Sequence, residues 1–347
     1  MLRGSKLKFY RQFASHGTGD TLVLIEPKEV VLLATITRLD LHAGRRESWM
    51  DDATFALAQR GLYAIDAAQL AALPPVTDEQ AYEVLHLAAV DDNDQPEYLY
   101  MSTLAMLYRR RVKYARILQT QPFPTANQIA PRAILEYGLA DADLLFAWMS
   151  WRKLAYDLDN RSAQETGYSF EPILVGCLGG TSLGAKVSVV HRLNAQGEPT
   201  PEGRQVDCYV EATQTVYELK MRMTIAASGQ GRFSEELSFP KEAAAAGLTP
   251  VLIVLDPTPS PRLTELRQAY LDAGGRCAVG EAAWQLLAAN AEAGMNTFIE
   301  TYIHPVFAAA AAGIAPQPTA ITLRNQGGTL EISDDTGRRY TISRKPQ

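Results

Sequence analysis

The chain holds 347 residues, 47% of them hydrophobic, enough to bury a large core in one domain or in two that share an interface. Its formal net charge of −6 and pI near 5.5 argue against broad, nonspecific adhesion to nucleic acid, yet leave room for a local basic cleft. No apolar run reaches the roughly 18 residues of a membrane span, the basic N-terminus lacks the apolar stretch of a signal peptide, and Cys177, Cys208 and Cys277 show no metal-ligand or redox spacing. A cytoplasmic chain without a zinc site or a membrane partner is expected.

In chain order, "TLVLIEPKEVVLLATITRL" (21–39) reads as a hairpin around Pro27 and Lys28. Helical patterns follow near 50–60, 64–73 and 78–89, then an acidic loop at 91–97 and a long helix over 98–119. A further helix is expected over 132–158, opened by Pro131, with Trp148 and Trp151 in its core face. From about 161 the pattern changes: a short helix to 178 ends at two glycines, and β-runs follow at 186–193, 205–212 and 215–224. Helix 234–247, strand 249–258, helix 261–273, strand 276–279 and helices over 281–312 come next, and short strands fill 319–343. The expected fold is α/β, a mixed central sheet flanked by helices behind a largely helical N-terminal region. The boundaries are 1–160 for that region, 161–312 for the core and 313–347 for a short-strand extension.

The segment "VDCYVEATQTVYELKMRM" (206–223) carries the chemistry. On its second strand Val216, Glu218, Lys220, Arg222 and Thr224 share one face, and Tyr217, Leu219, Met221, Met223 and Ile225 share the other. If Thr213 and Gln214 form a two-residue turn, Asp207 stands opposite Lys220 and Tyr209 opposite Glu218. An acidic–x–Lys tripeptide alone is cheap: 39 acidic residues and nine lysines predict about one match by chance, and Glu26-Pro27-Lys28 is a second copy. That copy is set aside because Pro27 suits a turn better than a strand. The hairpin has two readings. It is a solvated face with cross-strand ion pairs, or Asp207, Glu218 and the Leu219 carbonyl offer the hard oxygens that suit Mg²⁺ while Lys220 holds or activates a water.

These residues resemble the PD-(D/E)xK nuclease superfamily, in which an Asp on one strand and an acidic–x–Lys on the next form the active site. The resemblance covers about 161–293 and includes the element order helix, three-strand meander, helix, parallel strand, with Val206 where the family's proline stands. "RSAQETGYSFE" (161–171) is similar to the helix that carries a further metal-side glutamate, with Glu171 the candidate and Glu165 the runner-up. Pro172 would then set Glu171 at the very start of its helix. "YELKMRMTIAASGQGRFSEELSFPKEA" is most similar to ApaLI-like type II restriction endonucleases. The resemblance implies a Mg²⁺-dependent homodimer that cuts double-stranded DNA at a short palindrome. A repair or recombination nuclease on the same fold and a non-catalytic α/β interaction module are the alternatives. Candidate DNA contacts are Gln230 and Arg232 in "SGQGRF", Arg45 and Arg46 in a loop, and Arg109, Lys113 and Arg116 along one side of a basic helix, each with a purely structural alternative.

Overall fold

A computed structural model describes residues 2–17, 22–89, 95–137, 142–221, 230–313 and 320–344. Five strands form the central sheet: β1 (Thr181–Leu183), β2 (Val206–Val210), β3 (Thr215–Lys220), β4 (Thr249–Val254) and β5 (Arg276–Val279), adjacent in that order. β1, β2 and β3 pair antiparallel, while β3, β4 and β5 run parallel, so the sheet is mixed as expected. Parallel neighbours need crossover connections, and helices supply them: α2 (Gln230–Ala245) links β3 to β4, and α3 (Pro261–Asp272) links β4 to β5. β4 is buried along nearly its whole length, which explains its run of Pro250 to Val254 without polar alternation.

The two faces of the sheet feed two cores. On one side Val216, Leu252 and Val254 pack with Phe239 and Ala243 of α2 and with Leu263, Leu266 and Tyr270 of α3. On the other, Cys208, Tyr217, Val251 and Ile253 join a core that runs on through the N-terminal helices to Phe298 and Tyr302. The long helix α1 (Ala142–Leu178) contributes Ile173, Leu174, Cys177 and Leu178 to that core. It ends at Gly179 in the left-handed region (φ 65°). The next residue is Gly180, where an added Cβ would lie 2.4 Å from the Cys208 Sγ. The glycine pair therefore lets α1 turn directly onto β2.

Several expectations need correction. Residues 27–41 form a helix (Pro27–Leu41) and no hairpin; Pro27 occupies the first turn and Glu26 forms a capping box with Glu29. The expected helix over 132–158 is two helices, Ala126–Tyr137, which includes Pro131, and α1. α1 also absorbs the expected short helix before 178, so Pro172 lies inside a helix and Glu171 is not at its start. Trp148 is 53% exposed, so it is no core residue, whereas Trp151 packs edge-on against Phe123 at 5.2 Å. The first strand of the meander is Thr181–Leu183; the 186–193 run contributes only His191–Leu193, paired in a separate ribbon with Pro199–Gly203. The C-terminal strands Ile321–Gln326, Thr329–Asp334 and Arg339–Ser343 form their own antiparallel sheet. Among the described residues no helix is long and apolar enough to cross a membrane.

Candidate active site

The β2–β3 connection is longer than a two-residue turn. Glu211–Thr213 make a short helical turn and Gln214 closes it in the left-handed region (φ 50°). The ladder pairs Val210 with Thr215, Tyr209 with Val216 and Cys208 with Tyr217. Continued by one step, it sets Asp207 across from Glu218, not from Lys220. The shift is two residues, an even number, so Asp207 stays on the face of Glu218 and Lys220 and only its partner changes.

Two backbone contacts fix Asp207. The Leu219 N–H donates to its Oδ2 at 2.9 Å, and the Ser182 hydroxyl donates to its carbonyl at 2.8 Å. The Lys220 carbonyl accepts from the Leu255 N–H beyond β4. Backbone groups alternate sides along a strand, so the Leu219 carbonyl turns the same way as its N–H, toward Asp207. Lys220 donates from Nζ to Glu218 Oε1 at 2.7 Å and to Glu236 Oε1 of α2 at 3.2 Å.

The electrostatics follow from this crowding. Burial and the facing Glu218 push the Asp207 carboxyl up to about 8, with Glu171 adding to the rise. Glu171, partly buried, is raised by burial and by the Glu218 charge, while Lys220 offsets part of this. α1 therefore places Glu171 near Glu218 and Lys220, from the last two turns of the helix. Burial works against the charge on Lys220, but Glu218 and Glu236 outweigh it and hold the ammonium charged above the ordinary lysine range. A lysine so held donates hydrogen bonds and is no base in this state.

The cluster opens into a cleft of about 470 Å³ whose lining carries Glu202, Asp207, Glu218, Glu235 and Glu236 against Arg192, Arg204 and Lys220. Arg204 pairs with the buried Glu242 at 3.0 Å, and Arg192 with Glu202 at 2.9 Å. Among the described residues no three His, Cys, Asp or Glu side chains form a ready-made metal cage. The donor set still fits one cation. Two opposed carboxylates and a neighbouring carbonyl leave several positions to water and substrate, as Mg²⁺ prefers, and an added divalent charge would relieve the repulsion at Asp207.

The other sequence candidates fare differently. Arg109 is buried and its guanidinium donates to the carbonyls of Ala105, Gln12 and Ser15; Lys113 is buried too, and Arg116 donates to the Leu22 carbonyl. These side chains tie the N-terminal helices together, so the expected DNA-facing stripe is withdrawn. Arg46 pairs with Asp52 and lies over Phe55 at 5.0 Å, while Arg45 is exposed. The side chains of Glu165, Gln230 and Arg232 lie outside the described residues. Glu236, Arg192 and Arg204 were missed by sequence reasoning, because only packing of α2 and of the ribbon onto the sheet brings them to the cleft.

Residues 68–304 match the ApaLI-like restriction endonuclease family. A curated relative, the "Type II restriction enzyme ApaLI" of Acetobacter pasteurianus, is 51% identical over 214 residues, which are 60% of this chain and 56% of the relative. The chain thus spans little more than half the length of that relative, and no solved structure matches. The family match takes in the glutamate-bearing stretch of α1, the whole acidic hairpin and α2, and the chain belongs to the ApaLI-like restriction endonuclease family.

Proposed function

We propose that the chain is a Mg²⁺-dependent type II restriction endonuclease that hydrolyses phosphodiester bonds of double-stranded DNA at a short palindrome. The observation that carries this reading is the convergence of Asp207, Glu218 and Lys220 at the end of β3, with Glu171 of α1 beside them. Asp207, Glu218 and the Leu219 carbonyl would hold the metal, with Glu171 supporting the water network or a second ion. When bound, Mg²⁺ supplies a water of lowered pKa and charge stabilisation on the phosphoryl oxygens. The Lys220 ammonium orients the attacking water by donating to it and offsets charge building on the phosphate. Hydrolysis then leaves a 5′-phosphate and a 3′-hydroxyl.

Near neutral pH, with Asp207 keeping its proton, four charged carboxylates face three cations in the cleft, so it offers a phosphate backbone no net attraction until a divalent ion is present, which ties productive DNA binding to the metal. We infer a homodimer because a palindrome is read by matching two-fold symmetry. Gln230 and Arg232, at the start of α2, and the exposed Arg45 are our candidates for DNA contact. Incubation with unmethylated plasmid and Mg²⁺ should give discrete fragments, and Asp207→Ala or Lys220→Ala should lower the rate by at least ~10²-fold with folding intact. A smear or end-degradation points to a repair-type nuclease. No Mg²⁺-dependent cleavage by the folded parent overturns the enzyme reading.

A further inference from the structure

We propose that Glu236 is a positioning residue of the active site, the tether that keeps the Lys220 ammonium in place once Glu218 is engaged by the metal. The inference rests on the nuclease reading above and deepens it. The ammonium is held by two carboxylates from different elements, Glu218 on its own strand at 2.7 Å and Glu236 on α2 at 3.2 Å. Glu218 is also a proposed metal ligand. An oxygen that turns toward a divalent cation weakens as an acceptor for a lysine, so a lysine tied only to Glu218 would lose its anchor when the metal arrives. Glu236 reaches Lys220 from α2, across the cleft wall, and its grip does not depend on Glu218.

The rest of Glu236 supports an engaged role. Its side chain is 20% exposed, as is that of Lys220, so the pair is largely shielded and worth more than a surface ion pair. Its second oxygen, Oε2, is buried with no hydrogen-bond partner among the described residues, although the residue lines the cleft. A buried carboxylate oxygen without a donor is costly in a merely structural residue. In an occupied site it is the natural acceptor for the water that Lys220 orients. The adjacent Glu235 instead faces Arg192 at 3.2 Å, and the burial of Phe239 and Ala243 against the sheet sets the rotation of α2 that turns Glu236 to the lysine.

The test compares Glu236→Ala with Glu236→Gln in the full chain. Alanine removes the acceptor, whereas glutamine keeps an oxygen at the same reach. Alanine should lower kcat by ~10–100-fold, the usual cost of losing a partner that orients a site residue, with KM and the Kd for uncleaved DNA measured with Ca²⁺ little changed and any fall in Tm shared by Glu236→Gln. Glutamine should recover most of that loss. A metal-free readout is the side-chain ¹⁵Nζ signal of Lys220, assigned among the nine lysines by Lys220→Met. Slow proton exchange there should survive in Glu236→Gln and vanish in Glu236→Ala. Parental kcat in Glu236→Ala, equal losses in both variants, or a loss that merely follows Tm or Kd would overturn the tether. An inactive parent would instead overturn the nuclease reading, leaving the NMR comparison to judge the tether alone.

Discussion

At Asp207 the hairpin register sets one carboxylate across from another, and burial with the facing Glu218 lifts its carboxyl to about 8. The ordinary value is 3.8. Between about pH 4 and pH 8 the unfolded chain therefore releases a proton that the folded chain keeps, and this residue's contribution to stability declines as pH rises through that window. Asp207→Asn removes the titration from both states. In EDTA the stability of the variant relative to the parent should rise from pH 4 to pH 8 and level off above, a gain of several kcal/mol and at most ~6 by chemical denaturation. A gap that stays constant across the window would show that Asp207 titrates normally. If Asp207 and Glu218 hold metal as proposed, a divalent ion should have the opposite effect on the pair. Mg²⁺ at ten times its Kd should add ~1.4 kcal/mol to the parent and far less to Asp207→Asn, which lacks one of the proposed ligands.

At the scale of elements, Pro172 is the place where local rules and the fold conflict. Inside α1 it lacks an N–H for the carbonyl of residue 168, and its ring crowds that turn, a cost of ~3 kcal/mol in an ordinary helix. Pro172 is exposed and the next residue, Ile173, is in the core, so Pro172→Ala should lose no packing and gain ~1–3 kcal/mol in guanidinium denaturation. It should also lower the cleavage rate if the missing hydrogen bond at Pro172 sets the aim of the preceding Glu171; unchanged cleavage would show that the proline serves no site geometry. The sequence made the later elements readable because β-branched runs such as Thr249–Val254 and capped helices such as Pro261–Asp272 carry strong local signals. The face shared by Asp207, Glu218 and Lys220 was readable for the same reason, since parity survives any even shift of register. Their exact partners were not, because the turn took two more residues than assumed. The run 30–37 is apolar almost without break, so periodicity could not separate helix from strand there; the Glu26–Glu29 capping box was the overlooked signal. Val187 to Val190 alternates like a strand, yet tertiary packing gives the sheet position to Thr181–Leu183.

Across the whole molecule, the N-terminal helices and the underside of the central sheet share one continuous core, and a buried polar knot joins its distant segments. Asp40 accepts hydrogen bonds from the hydroxyls of Tyr100 at 2.8 Å and Tyr302 at 2.6 Å, and Tyr63 donates to the Tyr302 carbonyl at 2.9 Å. Burial lifts the Asp40 carboxyl while both hydroxyls pull it back, so its charge is tolerated only because the two donors answer it. Tyr302 lies in a π-helical turn, Ile299–Ile303, and Phe298 beside it stacks on Tyr100 edge-on at 5.5 Å. The knot thus binds the Pro27–Leu41 helix, the Gln95–Thr120 helix and the C-terminal end of the core into one unit. Asp40→Ala strands two buried hydroxyls and should cost ~2–4 kcal/mol, whereas Asp40→Asn keeps an acceptor and should stay within ~1 kcal/mol of the parent. Because the core is shared, tryptophan fluorescence, helical circular dichroism and loss of cleavage should follow one denaturation curve in the parent and in Asp40→Asn. Separate transitions in the parent would show that the N-terminal helices fold apart from the central sheet. Coincident ones would show that the sheet presenting Asp207, Glu218 and Lys220 draws its rigidity from residues that never approach the cleft.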